Sequence, residues 1–302
     1  MEQPLEQPQV TVVGSSNVDI TALMDRLPAP GETVLADSYQ LTPGGKGANQ
    51  ALAAALAGAR TEFIGAVGQD PNAQIALEQL DAAGVQLGRV ARVPENTGVA
   101  IIQVDAGAEN CIAVVPGANA SVDAAAVKAA GELHGILVLQ GEIPASGIGA
   151  AIDAAAERVV LNLAPVIELE RRYLLAANPL VANEHEAALI LAQLDGADQP
   201  VDEPEEAIAA KLLAHGIASV VITLGANGCL VAEGGTVQQL PAVKVKAVDT
   251  TGAGDAFTGA LAARLAAGDT LVQAAGFAGK FAALTVQGHG AQASYPRSVD
   301  NL

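Results

Sequence analysis

Short, continuous apolar runs alternate with Ala-rich helical segments along most of this 302-residue chain. The apolar runs lie at 10–13, 62–67, 136–140, 158–161, 180–182 and 219–223, and the helical segments at 47–56, 71–83, 122–130, 145–156, 184–191, 204–215, 253–266 and 270–286. Strands that are apolar on both faces need helices on both faces of their sheet. The alternation therefore predicts an α/β fold, a doubly wound and mainly parallel sheet between two layers of helices.

Two segments, 17–41 and 97–115, interrupt this alternation. They contain short β-like runs and turn residues such as Gly31 and Gly107, but no helical period. We expect both segments to form β-structure beside the main sheet and to pair into a small lid. Because the chain has no internal repeat and no low-complexity linker, we expect one domain over 1–302 with this lid inserted.

The composition limits the partners of the chain. Its formal net charge is −18 and only 2% of its residues are aromatic, whereas nucleic-acid-binding proteins use basic surfaces and aromatic stacking. No apolar run approaches the roughly 20 residues of a membrane span, and the polar, acidic segment 1–9 does not resemble a signal peptide. We therefore expect a cytoplasmic protein with no nucleic-acid or membrane partner.

The cysteines and histidines give little sign of metal or redox chemistry. Cys111 and Cys229 lie far apart in apolar runs, so we expect two buried, reduced thiols, which suits the cytoplasm. The four histidines show no metal-ligand spacing.

The segment 249–255, with the sequence DTTGAGD, precedes a long Ala-rich helix. Gly252 and Gly254 allow successive amides, including that of Ala253, to turn inward around an anion, and the helix N-terminus adds positive charge. Such a site suits the oxygens of a transferred phosphoryl group. Asp255, at the loop–helix junction, can accept the proton of an attacking hydroxyl. The alternative is a glycine turn followed by a helix-capping Asp.

A second glycine-rich segment, 44–49, also begins an Ala-rich helix. Lys46 and Asn49 are three residues apart, so their side chains can face the same ligand, and a cation with an amide suits a polyhydroxylated molecule. It is not a phosphate-binding loop of the Walker A type, because Lys46 is followed by Gly47. A flexible turn with a solvated lysine is the alternative.

Two pairs of polar residues follow predicted strands. Asn17 and Asp19 lie on one face of an extended backbone, and a carboxylate there can accept hydrogen bonds from a vicinal diol. An Asx turn is the alternative. Asn183 and Glu186 are placed to lie near a Mg²⁺–phosphate group, although their spacing also predicts a helix capping box.

Two more polar features stand at strand ends. The loop 223–228 follows the run at 219–223, and Glu142 follows the run at 136–140. Open α/β sheets bind ligands at the carboxyl ends of their strands. We therefore expect both features to line a ligand site.

Taken in order, these motifs resemble the PfkB carbohydrate kinase family. The matching segments are GSSNVD at 14–19, PGET at 30–33, GGKGANQA at 44–51, TGVA at 97–100, GAN at 117–119, NEHE at 183–186, TLGANG at 223–228, AVDTTGAGDAFTGAL at 247–261 and GAQAS at 290–294. They span roughly residues 10–296. The resemblance implies a doubly wound α/β/α fold with a β lid and ATP-dependent sugar phosphorylation. It is strongest to the members that convert D-ribose to ribose 5-phosphate, while 2-deoxyribose or a nucleoside remains an alternative acceptor.

The resemblance also implies roles for the matched positions. Asp255 is then the catalytic base, and the amides of Gly252, Ala253 and Gly254 form the anion hole. The positions matching sugar contacts are Asn17, Asp19, Gly45, Lys46, Asn49, Glu142 and Asp255. The positions matching contacts to Mg²⁺ and ATP are Asn183, Glu186, Thr223, Gly225, Gly228, Gly254 and Gly279.

A monovalent cation and a second subunit are implied in the same way. The positions matching an activating cation, usually K⁺, are Asp249, Thr251, Thr285, Gly288, Gly290 and Ser294. The lid is implied to form the contact of a homodimer. Two positions depart from the family pattern, since Gly279 stands where many members have Asn or His beside the adenine, and Gly288 replaces a bulkier residue.

Overall fold

The structure is a computed structural model that describes residues 9–107 and 109–299. Its strands are β1 (Gln9–Val13), β2 (Asn17–Leu23), β3 (Ser38–Gly44), β4 (Arg60–Ile64), β5 (Ala66–Val67), β6 (Ala91–Arg92), β7 (Gly98–Val104), β8 (Asn110–Val115), β9 (Ile136–Gln140), β10 (Val159–Asn162), β11 (Leu180–Asn183), β12 (Ser219–Thr223), β13 (Cys229–Glu233) and β14 (Thr236–Leu240). Eight of them form the central sheet, in the order β14-β13-β12-β11-β10-β9-β1-β4. Neighbours from β12 to β4 pair in parallel, while β13 and β14 are antiparallel. The predicted mainly parallel sheet is confirmed.

Helices cover both faces of this sheet. They are α1 (Lys46–Leu56), α2 (Asn72–Ala82), α3 (Ala124–Ala130), α4 (Ala145–Ala154), α5 (Arg171–Leu175), α6 (Glu184–Asp195), α7 (Glu205–Ala214), α8 (Ala253–Ala266) and α9 (Leu271–Thr285). Alternate residues of each strand enter opposite cores, so Val138 packs with α1, α8 and α9, whereas Leu137 and Leu139 pack with α3, α4 and α6. Burial on both faces explains why the strands are continuously apolar.

Small residues let α1 and α8 lie close together. A Cβ added to Gly259 would overlap the carbonyl oxygen of Gln50 and lie 2.6 Å from the Cβ of Ala53. Glycine at this crossing therefore sets the distance between the two helices. As a consequence, the N-termini of α1 and α8, which carry the two glycine-rich motifs, meet at the carboxyl end of the sheet.

A second, four-stranded sheet has the order β3-β2-β7-β8 and lies beside the central one. The two segments that interrupt the helical alternation supply all four strands, although β3 continues to Gly44, beyond the predicted limit at residue 41. The strands β5 and β6 form a separate short parallel pair.

Some features differ from the sequence predictions. The antiparallel strands β13 and β14 and the short helix α5 were not predicted. The prediction of two buried thiols is wrong for Cys111, which is exposed on β8, one of the two edge strands of the small sheet. Cys229 is buried in β13, and burial raises its pKa to about 11.

Two expectations from the sequence concern a signal peptide at the N-terminus and membrane-spanning segments. The segment 1–8, expected not to be a signal peptide, lies outside the described residues. Within the part of the chain that the structure describes, no helix has both the length and the apolar character that a membrane crossing requires.

Candidate active site

The side chain of Asp255 lies in the first turn of α8 and is only 6% exposed. Both of its carboxylate oxygens accept hydrogen bonds from the start of α1. Asn49 Nδ2 donates to Oδ2 at 2.9 Å, and Gln50 Nε2 donates to Oδ1 at 2.9 Å. The two neutral amide groups therefore hold the carboxylate in one orientation.

The loop before α8 has the backbone shape that the sequence predicts. Gly252 is left-handed, with φ 73°, and a Cβ there would lie 2.6 Å from the Cβ of Ala291. Conformation and space thus both require glycine at this position. The buried hydroxyl of Tyr295 donates to the carbonyl oxygen of Gly252 at 3.0 Å. The amide of Ala253 donates to the carbonyl of Thr250 at 3.2 Å, so in this conformation that amide closes the turn.

Asp255 opens onto a cleft of about 220 Å³. Its polar and backbone lining comes from five separate parts of the chain: Lys46, Asn162, Asn183, Glu186, Thr223, Thr250, Gly252, Ala253, Gly254, Asp255 and Thr258. The predicted anion loop, the α1 motif and the β11–α6 junction therefore meet in one place. Larger surface grooves, such as the one beside α2, contain none of these residues.

The carboxylates of Asp19 and Glu142 both lie beside the backbone just before and at the start of α1. A Cβ on Gly44 would overlap the carboxylate of Asp19, which therefore lies directly over this backbone. Glu142 Oε2 accepts hydrogen bonds from the hydroxyl of Ser15 at 2.5 Å and from the amide of Lys46 at 3.0 Å. These contacts fix the loop before α1 against the end of β1.

Gly45 is needed in the same loop for two reasons. It has a positive φ of 88°, and a Cβ there would lie 2.8 Å from the backbone nitrogen of Asn17. Asn17 is itself buried, and its Oδ1 accepts a hydrogen bond from Asn119 Nδ2 at 2.7 Å. The amide nitrogen, rather than the carbonyl, is thus the group of Asn17 suited to a ligand.

Three carboxylates, those of Asp255, Glu142 and Glu186, act on the charge of Lys46 at this site. Burial raises the pKa of Asp19, and the negative charges of Glu142 and Asp255 raise it further, to about 6. The charge of Asp255 also raises the pKa of Lys46 above its usual value, although burial opposes this effect. Since one ammonium group faces several acids, the site favours a ligand rich in hydroxyl donors.

Asn183 and Glu186 form the capping box that was the alternative interpretation of their spacing. The amide of Asn183 donates to Glu186 Oε2 at 2.9 Å, and the amide of Glu186 donates to Asn183 Oδ1 at 2.8 Å. Both residues nevertheless line the cleft. No group of three or more His, Cys, Asp or Glu side chains suited to a metal occurs in residues 9–107 and 109–299. A Mg²⁺ ion there would depend on Glu186, phosphate oxygens and water, which is an ordinary ligand set for this ion.

The predicted nucleotide positions are only partly brought together. Thr223 ends β12 and lines the cleft, and a 3₁₀ turn, Gly225–Asn227, follows it. Gly228 has a φ of 93°, and a Cβ there would overlap the carbonyl oxygen of Leu240. Gly279 lies within α9, faces open space and is not among the residues that line the cleft.

Three of the residues predicted to bind a cation, Asp249, Thr251 and Gly290, connect two neighbouring loops through hydrogen bonds. Asp249 Oδ1 accepts hydrogen bonds from the amide and hydroxyl of Thr251 at 2.9 and 2.6 Å, and Oδ2 accepts one from the amide of Gly290 at 2.8 Å. Burial alone would raise the pKa of Asp249, but these hydrogen bonds lower it below its usual value. The carboxylate therefore stays ionised and holds both loops together.

The other three predicted cation positions, Gly288, Ser294 and Thr285, differ in the oxygen atoms that they could present to an ion. Gly288 packs against Ser294, and a Cβ there would lie 2.9 Å from the Cβ of Ser294. The hydroxyl of Thr285 is buried and donates to the carbonyl of Phe281 in its own helix. The oxygen atoms at this junction are carboxylate, hydroxyl and backbone carbonyl groups, a donor set that suits a hard cation such as K⁺ rather than a soft metal.

Sequence reasoning missed four buried amides behind Asp255: Gln50, Gln140, Asn162 and Gln292. Gln140 and Asn162 are the last residues of β9 and β10, and a polar residue that ends an apolar strand is a signal that could have identified them. Gln50 and Gln292 lie inside matched motifs, but their spacing suggests no chemistry.

The sequence and the structure of this chain are similar to those of known sugar kinases. The model of the pfkB family carbohydrate kinases matches residues 7–298. The chain is 39% identical over 307 residues to a ribokinase of Schizosaccharomyces pombe, covering 96% of both chains. It is 34% identical to a deoxyribokinase of Salmonella typhi, covering 95% of both. The structure of Arabidopsis thaliana ribokinase complexed with ribose and ATP matches with a TM-score of 0.84 and 34% identity, covering 96% of both chains. The chain therefore belongs to the pfkB family of carbohydrate kinases and is a phosphotransferase.

Proposed function

We propose that this chain is an ATP-dependent D-ribose kinase that forms ribose 5-phosphate and ADP. The observation that carries the proposal is the single cleft in which Asp255, Lys46, Glu186 and the loop 252–254 meet. A relative at 39% identity that is named ribokinase, and a similar structure that holds ribose and ATP, support both substrates.

In the proposed reaction, the sugar 5-hydroxyl attacks the γ-phosphorus of ATP. A bond forms between the hydroxyl oxygen and phosphorus, the bond to the ADP oxygen breaks, and the hydroxyl proton passes to Asp255. The transition state of phosphoryl transfer is loose, so a carboxylate that orients the hydroxyl is sufficient. Its amide partners, Asn49 and Gln50, supply that orientation. The amides of Gly252 and Gly254 then stabilise charge on the transferred group, and the amide of Ala253 joins them once its hydrogen bond to Thr250 is released.

We assign the sugar to the region between the small sheet and α1. The protein poorly compensates the ionised form of Asp19, as its raised pKa indicates. Hydroxyl groups of the sugar would supply the missing hydrogen bonds, with Lys46 and Asn17 as donors to other sugar oxygens. A sugar that lacks one hydroxyl would leave one of these groups unpaired.

Two ions complete the proposal. Glu186 and Asn183 would help to hold Mg²⁺, which supplies positive charge that neutralises the phosphate oxygens. The junction of Asp249, Thr251 and Gly290 would take K⁺ through its oxygen donors, and the bound ion would stiffen the loop that precedes the anion site. The cytoplasm, where we expect the enzyme to act, provides both ions and ATP.

We also propose a homodimer that forms through the small sheet. The cross-strand row of Leu41, Ile20, Ile101 and Ala113 lies on the face opposite Asp19, and Leu41 and Ile101 are exposed. Tyr39 shares this face and is also exposed. Exposed apolar patches of this kind mark contact surfaces. We expect Ile101→Glu to give a monomer by sedimentation; an unchanged assembly would contradict this contact.

Deoxyribose is the second candidate acceptor, because the chain is also 34% identical to a deoxyribokinase. The test compares kcat/KM for D-ribose and 2-deoxyribose, with nucleosides in the same panel. We expect ribose to be preferred by roughly 100-fold, since a buried polar site discriminates strongly against a missing hydroxyl. Equal values would contradict the ribose assignment.

A further inference from the structure

Two amides hold Asp255, and each of them is held by another amide. Gln292 Nε2 donates to Asn49 Oδ1 at 2.9 Å, and Gln140 Nε2 donates to Gln50 Oε1 at 2.8 Å. Each oxygen of Asp255 is thus the end of a two-step arm, one from Gln292 through Asn49 and one from Gln140 through Gln50.

The direction of every hydrogen bond in these arms is set by Asp255. An ionised carboxylate only accepts, so the nitrogen end of each neighbouring amide has to face it. The oxygen end of Asn49 and of Gln50 then faces away, and only a donor can stabilise that orientation. Gln292 and Gln140 supply those donors. Gln50 is fixed further because its Nε2 also donates to Asn162 Oδ1 at 2.9 Å.

The side chains of Gln140 and Gln292 each have one well-placed group, the donating Nε2, and one poorly placed group, the carbonyl oxygen Oε1. Both side chains are almost completely buried. Within the described residues, the Oε1 atom of each is buried and has no hydrogen-bond partner. An unpaired buried carbonyl lowers stability, so an apolar side chain of similar size would be acceptable to the fold. Stability alone therefore gives little reason for glutamine at these two positions.

Neither residue lines the cleft, and the two side chains are 0% and 1% exposed, so neither is placed to touch a sugar or a nucleotide. On the basis of the proposed function, we propose that Gln140 and Gln292 are positioning residues for phosphoryl transfer. They keep the amide nitrogens of Gln50 and Asn49 facing Asp255. The carboxylate of Asp255 then stays in the orientation that accepts the proton of the attacking hydroxyl.

Methionine at either position tests this proposal, because it keeps the length of the side chain but removes the donor. We expect Gln140→Met and Gln292→Met each to lower kcat about tenfold, as loss of an orienting partner commonly does at active sites. The KM values for sugar and ATP should change little. The Tm should stay within a few degrees of wild type, because the unpaired carbonyl is lost together with the hydrogen bond.

Glutamate at the same positions sharpens the test. Gln140→Glu and Gln292→Glu place an acceptor against an amide oxygen and favour the flipped amide, so kcat should fall further than in the methionine variants. The matched control is Gln193 in α6, whose Nε2 donates to the carbonyl of Ile167 and whose Oε1 is also buried without a partner in the described residues. Gln193→Met and Gln193→Glu should leave kcat unchanged. Wild-type kcat in both methionine variants, or an equal loss in the control, would overturn the proposal.

A double-variant comparison separates positioning from general damage. If Gln292 acts through Asn49, adding Gln292→Met to Asn49→Ala should cause no further loss of kcat, and the same holds for Gln140→Met in Gln50→Ala. Multiplicative losses would contradict the relay. All rates are measured with whichever acceptor the wild-type enzyme phosphorylates, so failure of the ribose assignment would be seen separately in the wild-type sugar panel.

Discussion

Asp255 and Asp19, two acidic residues of the proposed site, are prepared for ligand in different ways. Asp255 is buried and both of its oxygens accept amide hydrogen bonds from α1. Asp19 lies on the small sheet, is partly exposed, and has a pKa raised to about 6. The protein thus completes the environment of one carboxylate before any ligand binds, and leaves the other for the ligand to complete. Orientation of the base is a property of the fold, whereas sugar recognition depends on what binds.

The largest effect is expected from removing Asp255 itself. Asp255→Ala removes the proton acceptor but leaves Asp19 and Glu142 in place, so kcat should fall by roughly 10³-fold, within the usual range for general-base catalysis. Ribose binding, measured by calorimetry, should change only a few-fold. Asp153→Asn, on the surface beside Arg172, is the control. A near-normal kcat in Asp255→Ala would remove the distinction between the two carboxylates.

A smaller loss is expected when the anion loop is displaced while Asp255 is kept. Gly252→Ala combines a positive φ with a contact of 2.6 Å to Ala291, so the loop has to move, and kcat should fall about 100-fold. Gly268→Ala, after α8, is the matched control, since it has a φ of 91° but nothing within 4 Å. Both variants should lose stability, but only Gly252→Ala should lose activity. Equal kcat values would contradict the assigned anion loop.

The raised pKa of Asp19 predicts how sugar binding depends on pH. Hydroxyl donors favour the carboxylate, so binding releases a proton below pH 6, and ribose affinity should fall by up to tenfold as the pH drops from 6 to 5. The pH dependence of folding has the opposite sign. Because the pKa of Asp19 in the folded protein exceeds its ordinary value of 3.8, the stability from this group is present below pH 4 and is lost as the pH rises through 6. Calorimetry measures both.

Asp19→Asn is the control for this dependence. It should weaken binding at pH 7.5 and flatten the pH profile of the affinity. A wild-type profile that is already flat between pH 5 and pH 7 would mean that Asp19 does not accept from the sugar.

The smallest effect concerns the cation junction, which lies beside the anion loop but not in the cleft. Replacing K⁺ by Na⁺ at constant ionic strength should lower kcat severalfold, because a smaller ion fits the oxygen donors less well. Asp249→Asn should lower kcat in K⁺ and abolish the difference between the ions. Identical rates in both salts with the wild-type enzyme would exclude an activating site there.

The regular part of the fold could be predicted because burial on both faces leaves a clear pattern. The predicted limits of β9, β12 and α8 agree with the structure residue for residue. The hairpin of β13 and β14 was missed, because its first strand follows a glycine loop that was interpreted as a ligand site only. Exposure of Cys111 was missed since an apolar run does not reveal that its strand lies at the edge of a separate sheet.

The site could be predicted only where its chemistry is local in sequence. Glycine-rich loops at helix starts and polar residues after strands identified part of the cleft lining, namely Lys46, Asn183, Glu186, Thr223 and the segment 252–255. Two of the amides behind Asp255, Gln50 and Gln292, could not be found in this way, because their hydrogen bonds join distant parts of the chain. Gln292 and Asn49 are 243 residues apart, and they meet only after α1 and the C-terminal loop have packed against α8.

The most direct test of the proposed reaction is the position of the phosphate on the product. The enzyme is incubated with D-ribose, ATP, Mg²⁺ and K⁺, and the product is analysed by phosphorus NMR with coupling to protons. We expect one phosphomonoester coupled to the methylene protons of carbon 5, formed in equal amount to ADP. Phosphate on carbon 1, or ADP formed without a sugar phosphate, would contradict the account.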